Sequence, residues 1–312
     1  MRSSDSSPEA PPLIVIVGPT AVGKTGLSIT LAERFNGEVI NCDSRQVYRR
    51  FDIGTDKPGA EDRRRCPHHL IDIIDGKDQF TAADFAVKAA LAIADITARG
   101  KLPLVAGGTG LYIKAFLDGL FPGPARDERV RTALEEEARR EGLDSLFTKL
   151  QTLDPEYAAK IGPHDRIRIV RALEVQAVTG SPLSTHFRAT AGFVPGYRTI
   201  RVGLRLDRQA LCRRIDERVD GMFERGLADE VQALLRSGLD GTEPPFKALG
   251  YKHVLRVLRG ELTAAEAAAL TKIDTRRYAK RQMTWFRKMA GFHWFDAGSP
   301  EAVAAFIHKQ LG

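Results

Sequence analysis

The stretch IVIVGPTAVGKTGLSI, residues 14–29, constrains this chain more than any other. The β-branched run from Leu13 to Val17 reads as a buried, parallel strand, and the apolar pattern from Lys24 to Phe35 reads as a helix. Between them Gly18, Pro19, Thr20, Ala21, Val22, Gly23, Lys24 and Thr25 match G-x-x-x-x-G-K-[ST] at every fixed position. Strand, loop and helix in this order make a phosphate cradle. Backbone N–H groups and the helix N-terminus surround the oxygens, Lys24 neutralises charge, and the Thr25 hydroxyl can ligate Mg2+. The loop alone leaves open whether the phosphate chain is hydrolysed, transferred or expelled.

The same alternation continues. EVINC (38–42) reads as a second strand ending at Asp43, and LPLVAGGTG (102–110) as a third, running into another glycine turn. A helix from Thr81 to Gly100 lies between them, with Thr81 and Asp84 spaced for a capping box. This predicts a doubly wound α/β fold, a P-loop NTPase-like parallel sheet with ligands at the carboxyl ends of its strands. After the Pro/Gly-rich 120–128 only helical patterns appear up to about residue 180; TIRVGLRLD (199–207) then returns as a strand. Four helices follow (208–225, 227–237, 251–259 and 263–290), and FHWFD forms a last short strand. The expected organisation is a disordered tail at 1–11, a discontinuous core at 12–120 and 197–312, and an inserted helical domain at 121–196.

Composition narrows the class of function. No stretch approaches the roughly 18 apolar residues of a membrane span, and MRSSDSSPEAPP has no apolar core for a signal peptide. Three cysteines without CxxC spacing fit a reducing cytoplasm rather than a disulfide or zinc framework. The net charge of +7 permits nucleic-acid binding without requiring it. The charge is concentrated in TKIDTRRYAKRQMTWFRKMA (271–290), where Lys272, Arg276, Arg277, Lys280, Arg281, Arg287 and Lys288 oppose Asp274 alone and alternate with Tyr278, Trp285 and Phe286. A solvated helix face and an RNA-facing helix both fit that pattern, and composition favours the first.

Other residues leave the chemistry open. The strand at 102–106 lacks the Walker-B aspartate expected of a hydrolysing P-loop enzyme. The acid stands instead at Asp43, which fits equally a general base and a turn former. His68 and His69 are adjacent on an extended segment and point to opposite faces, which makes them poor joint metal ligands. Arg214 and Arg218 share one helix face, a spacing usual for solvated arginines.

Taken together, GPTAVGKT, NCDSRQVYRRFDIGTDKP, PHHLID, AADF, LVAGGTGLY, RIRIVRALEV, LGYK and AKRQMTWFRK resemble the tRNA dimethylallyltransferase family of the bacterial type, over nearly the whole chain. The resemblance implies transfer of a dimethylallyl group from dimethylallyl pyrophosphate to N6 of the adenosine 3′ of the anticodon, in tRNAs reading codons that begin with U. The P-loop would then hold the donor's pyrophosphate with Mg2+, which explains the missing Walker-B acid; such a loop can also take up a nucleotide such as ATP. By the same resemblance Asp43 is the general base, Thr20 lies near the reacting centre, and Arg218, with Arg214 as the alternative, binds pyrophosphate. Asp43, Ser44, Arg45, Gln46, Thr109, Arg131, Ile167, Arg168, Ile169, Val170 and Arg171 match stretches that touch the tRNA anticodon stem-loop. On the basic helix, Lys280, Arg281 and Trp285 are the candidates. A monomer is expected. One departure stands out: Asp56 occupies a position where the family has a small residue, with an expected effect on local packing rather than on chemistry.

Overall fold

The computed structural model describes residues 10–119, 121, 123, 124, 126–188 and 192–312. Most of the expected N-terminal tail lies outside the described residues. The chain separates into two compact units, 1–116 with 194–312, and 117–193.

The first unit is built on β1 (Pro12–Val17), β2 (Gly37–Cys42), β3 (His68–His69), β4 (Leu102–Gly107), β5 (Arg198–Arg205) and β6 (His293–Asp296). They form one sheet in the order β3-β2-β4-β1-β5-β6, and every pairing is parallel. Register explains why the loops meet. Val17 and Cys42 both pair with Gly107 on β4, so β1, β2 and β4 end level and Gly18, Asp43 and Gly108 leave the sheet together at the carboxyl ends of these strands. β1 and β4, at the centre of the sheet, read as unbroken apolar runs because both faces are covered. Ile14 and Ile16 pack with α1 (Lys24–Arg34) and α14 (Pro300–Leu311), while Leu13, Val15 and Val17 are equally inaccessible.

Helix α3 (Ala82–Ala98) carries the expected capping box: Thr81 Oγ1 accepts from Asp84 N, and the Asp84 carboxylate accepts from Thr81 N. The short polar α2 (Ala60–Arg65) has no apolar stripe to reveal it in the sequence. Helix α14 was also unanticipated, although Pro300 at its first turn is a start signal. Helix α4 (Gly110–Asp118) follows β4, and α10 (Arg208–Glu224), α11 (Leu227–Arg236), α12 (Leu249–Leu258) and α13 (Ala264–Phe286) follow β5.

The second unit contains α5 (Glu128–Glu141), α6 (Leu143–Leu153), α7 (Pro155–Ala158), α8 (Arg166–Thr179) and α9 (Leu183–Arg188). It has a core of its own, with Leu134, Leu146, Leu150, Ile169, Val170 and Leu173 at its centre. Buried Glu174 ties it together, accepting from Asp127 N at 2.8 Å and pairing with Arg131 at 3.1 Å and Arg171 at 3.0 Å. Among the described residues, no helix of either unit is long and apolar enough to cross a membrane.

Candidate active site

The loop after β1 owes its shape to two glycines. Gly23 caps α1 at φ 104°, in the region L side chains rarely adopt, and a Cβ on Gly18 would stand 2.8 Å from the Leu204 carbonyl oxygen. Lys24 folds back under the loop, its Nζ donating to the carbonyls of Gly18 (3.0 Å) and Pro19 (2.8 Å). Burial of this ammonium lowers its pKa from 10.5 to about 8, against an upward pull from Asp43 and with a further downward push from Arg218. The loop is therefore tense in charge: its cation is only partly compensated.

Helix α10 supplies further cations. Arg218 Nη1 donates to Thr20 Oγ1 at 2.6 Å and Arg214 Nη1 to the Val22 carbonyl at 3.1 Å. These arginines share a face because they are four apart, and that face looks onto the loop. Both border a cavity of about 440 Å³, together with Lys24, Thr25, Asn41, Asp43 and Arg225. The solvated reading fails for Arg218, which is 24% exposed, and describes Arg214 only in part. Asn41 Nδ2 is buried on this wall with no hydrogen-bond partner among the described residues.

Asp43 meets both of its readings. Its Oδ1 accepts from Arg45 N (2.8 Å) and Gln46 N (3.4 Å), the bonding of a turn former, while the carboxylate borders the cavity. Ser44 N donates to Thr109 Oγ1 at 3.1 Å, joining the ends of β2 and β4. Arg45 reaches the Pro244 carbonyl at 2.6 Å. Buried Gln46 gives its amide to the carbonyls of Thr55 and Asp56, so its bonding here fixes a loop.

Helix α13 divides its charges. Lys272, Arg276 and Arg277 pair with Asp220, Asp216 and Asp274, as a solvated face would. Lys280 and Arg281 are exposed and have no acidic partner among the described residues; the Arg281 guanidinium lies 5.8 Å from the centre of the Tyr278 ring. Trp285 packs so closely on Gly110 that a Cβ there would meet its ring at 2.4 Å. Gln282 was not anticipated. Its Oε1 accepts from Thr20 N and its Nε2 donates to the Gly108 carbonyl, each at 2.8 Å, which clamps the P-loop to the glycine turn after β4. The doubled glycine was the available signal, since a Cβ on Gly108 would stand 2.4 Å from that amide.

The structure bears on three expectations. Ile169 and Val170 are fully buried in the core of the helical unit, where their side chains pack; Ile167 (77% exposed) and Arg168 do face solvent. Arg131 and Arg171 spend their charge on Glu174 within that unit. Asp56 acts on the site and not on packing alone: its carboxylate borders the cavity and forms ion pairs with Arg218 (3.0 Å) and Arg225 (3.3 Å). The two histidines have structural partners, His69 Nε2 on buried Glu38 at 2.8 Å and His68 Nδ1 on the Cys66 carbonyl at 2.9 Å.

The family model described as IPP transferase matches residues 46–289. The chain belongs to this family. Similar proteins include tRNA dimethylallyltransferase 2 of Geotalea uraniireducens, 50% identical with 96% of each chain covered. The tRNA dimethylallyltransferase of Solibacter usitatus is also 50% identical, over 94% of this chain and 95% of its own. Among solved structures, a full-length tRNA isopentenylpyrophosphate transferase from Bacillus halodurans aligns with a TM-score of 0.72 at 42% identity, covering 97% of each chain. A eukaryotic dimethylallyltransferase acting on tRNA aligns with a TM-score of 0.76 at 32% identity, over 92% of this chain and 74% of its own.

Proposed function

We propose that this IPP transferase family member is a tRNA dimethylallyltransferase. It moves the dimethylallyl group of dimethylallyl pyrophosphate to N6 of the adenosine 3′ of the anticodon, in tRNAs reading codons that begin with U. The observation that carries the reading is one cavity with two chemistries. Lys24, Arg214 and Arg218 gather where a pyrophosphate would sit, and the Asp43 carboxylate stands on the same wall.

In this mechanism the loop N–H groups, Lys24 and Arg218 take up the charge that develops on the departing pyrophosphate. The bond between the dimethylallyl carbon and the pyrophosphate oxygen breaks as the carbon–N6 bond forms, and the leaving oxygen keeps the electron pair. An exocyclic adenine amine is barely basic, so Asp43 accepts the N6 proton through the oxygen that its turn leaves free. Thr20, held by Arg218 and Gln282, is the residue proposed to lie beside the reacting atoms. The Asn41 amide supplies a donor still in need of an acceptor.

The residues suit Mg2+ bound through phosphate. Thr25 offers a hydroxyl at the cavity, and no cluster of three acidic, histidine or cysteine side chains among the described residues could hold an ion alone. Bound there, Mg2+ would neutralise pyrophosphate oxygens. The tRNA contacts proposed are Ser44, Arg45 and Thr109 near Asp43, Lys280 and Arg281 on α13, and Ile167 and Arg168 on α8. The target adenine must leave its stack to reach the site.

A transfer assay tests this. Radiolabelled dimethylallyl pyrophosphate, Mg2+ and unmodified tRNA should yield labelled tRNA, and the same tRNA with the target adenosine changed to G should not. Asp43→Asn should lower the rate at least about 100-fold while donor affinity changes little. Brisk ATP-dependent phosphorylation of an acceptor with no prenyl transfer would make the chain a kinase instead.

A further inference from the structure

We propose that Asp56 is a positioning residue acting through Arg218: its carboxylate holds that arginine in the empty site, yields it to pyrophosphate, and reclaims it on release. The inference rests on the proposed function and gives one of its steps, the departure of pyrophosphate, a structural basis.

The carboxylate is aimed and not loosely tethered. Glu230 accepts from three successive backbone N–H groups, Asp52 (3.0 Å), Ile53 (2.8 Å) and Gly54 (3.3 Å). Gln46 holds the carbonyls of Thr55 and Asp56. Lys57, its side chain 1% exposed, pins the far side to Asp52 and Asp72. Asp56 itself has φ 51°, a left-handed conformation that Asp and Asn tolerate better than other L residues. From there Oδ2 stands 3.0 Å from Arg218 Nε and Oδ1 3.3 Å from an Arg225 Nη.

The pairing is close in charge and poor in alignment. Arg218 Nε is buried and makes no hydrogen bond among the described residues, even with the carboxylate 3.0 Å away, while Nη1 is committed to Thr20. A phosphate group could engage that guanidinium with better-directed bonds, so the carboxylate is displaceable. The cavity wall carries Lys24, Arg214, Arg218 and Arg225 against Asp43 and Asp56. Without Asp56 that concentration of positive charge would hold pyrophosphate more tightly, and a product held too long limits turnover.

Isothermal titration of the full chain with inorganic pyrophosphate and Mg2+ tests this, using Asp56→Asn, which keeps the shape and the tolerated backbone. Asp56→Asn should bind pyrophosphate about 2- to 5-fold more tightly, the range for one partly exposed charge contact. The KM for the donor should fall with it while kcat does not rise. The gap should narrow as salt increases from about 0.05 to 0.5 M. In an Arg218→Gln background the same change should shift affinity clearly less than in the parent, the remainder acting through Arg225. Should Asp56→Asn fail to fold, Asp56→Gly relaxes the backbone and carries the same expectation. Unchanged or weaker binding by the variant, with normal binding by the parent, overturns this role and leaves the proposed function standing. No pyrophosphate binding by the parent overturns both.

Discussion

Lys24 is where burial and ligand binding oppose each other. Its pKa of about 8, set first by desolvation, leaves it only partly protonated at mildly alkaline pH in the empty protein. With pyrophosphate as the proposed ligand, the charged form is favoured, so binding above pH 8 should draw in a proton and affinity should fall as pH rises. The expected slope approaches tenfold per pH unit above pH 8 and flattens below it. Calorimetry in buffers of different ionisation enthalpy should detect the proton uptake, and Lys24→Met should abolish it. The sign for folding is opposite. The unfolded lysine binds more protons than the folded one between about pH 8 and 10.5, so this group destabilises most below 8 and the cost is relieved through that window. Gln282 gives a second residue-scale test. Gln282→Leu strands the Gly108 carbonyl and Thr20 N–H, and it should cost about 2 kcal/mol in chemical denaturation and raise the KM for the donor.

At the scale of elements, what could be read from sequence depended on how far apart the partners lie. The P-loop was legible because strand, glycines, lysine and helix are contiguous, and the capping box of α3 because it is a three-residue pattern. Gln282 was not, since it meets Thr20 across 262 residues. Asp56 was misjudged for the same reason: its partners Arg218 and Arg225 belong to α10 and the turn after it, and nothing local marks them as neighbours. The arginine pair was visible as a helix face, but not what that face meets. On α8 the resemblance implies the whole stretch 167–171, and it does not separate buried Ile169 and Val170 from exposed Ile167. The loop before α2 shows how distant anchors act. Glu230 on α11 holds three of its N–H groups and also accepts from Tyr251 Oη on α12 at 2.5 Å. Glu230→Ala leaves all of these without their acceptor, so it should cost about 3 kcal/mol or more. Hydrogen exchange should report it first, with the Asp52, Ile53 and Gly54 amides losing protection while the β1 and β4 amides keep theirs.

At the scale of the whole molecule, each unit carries its own core and its own buried carboxylate, which makes their failures separable. In the first unit Glu38, 2% exposed, is held by Arg99, Lys101 and His69, and the Arg99 guanidinium above all keeps its carboxyl far below the usual range. Its contribution is fully present above the unfolded pKa near 4.5 and is lost as pH falls through the folded value, so it resists acid unfolding. In the second unit burial alone would raise the pKa of Glu174, but Arg171, the Asp127 N–H and Arg131 outweigh it and hold the carboxyl below its usual value. Removing either carboxylate leaves cations that are only partly exposed without a partner, and in the second unit the Asp127 N–H as well, a loss of about 1–3 kcal/mol. The consequences should differ. Glu38→Ala should lower the stability of the sheet that carries the P-loop, and with it pyrophosphate binding. Glu174→Ala should loosen only 117–193, whose core contains no residue of the cavity wall. Titration of Glu174→Ala with pyrophosphate should therefore give an affinity within about two-fold of the parent, while tRNA binding falls at least about tenfold. Equal loss of both ligands would overturn the expectation that Glu174 serves the helical unit alone.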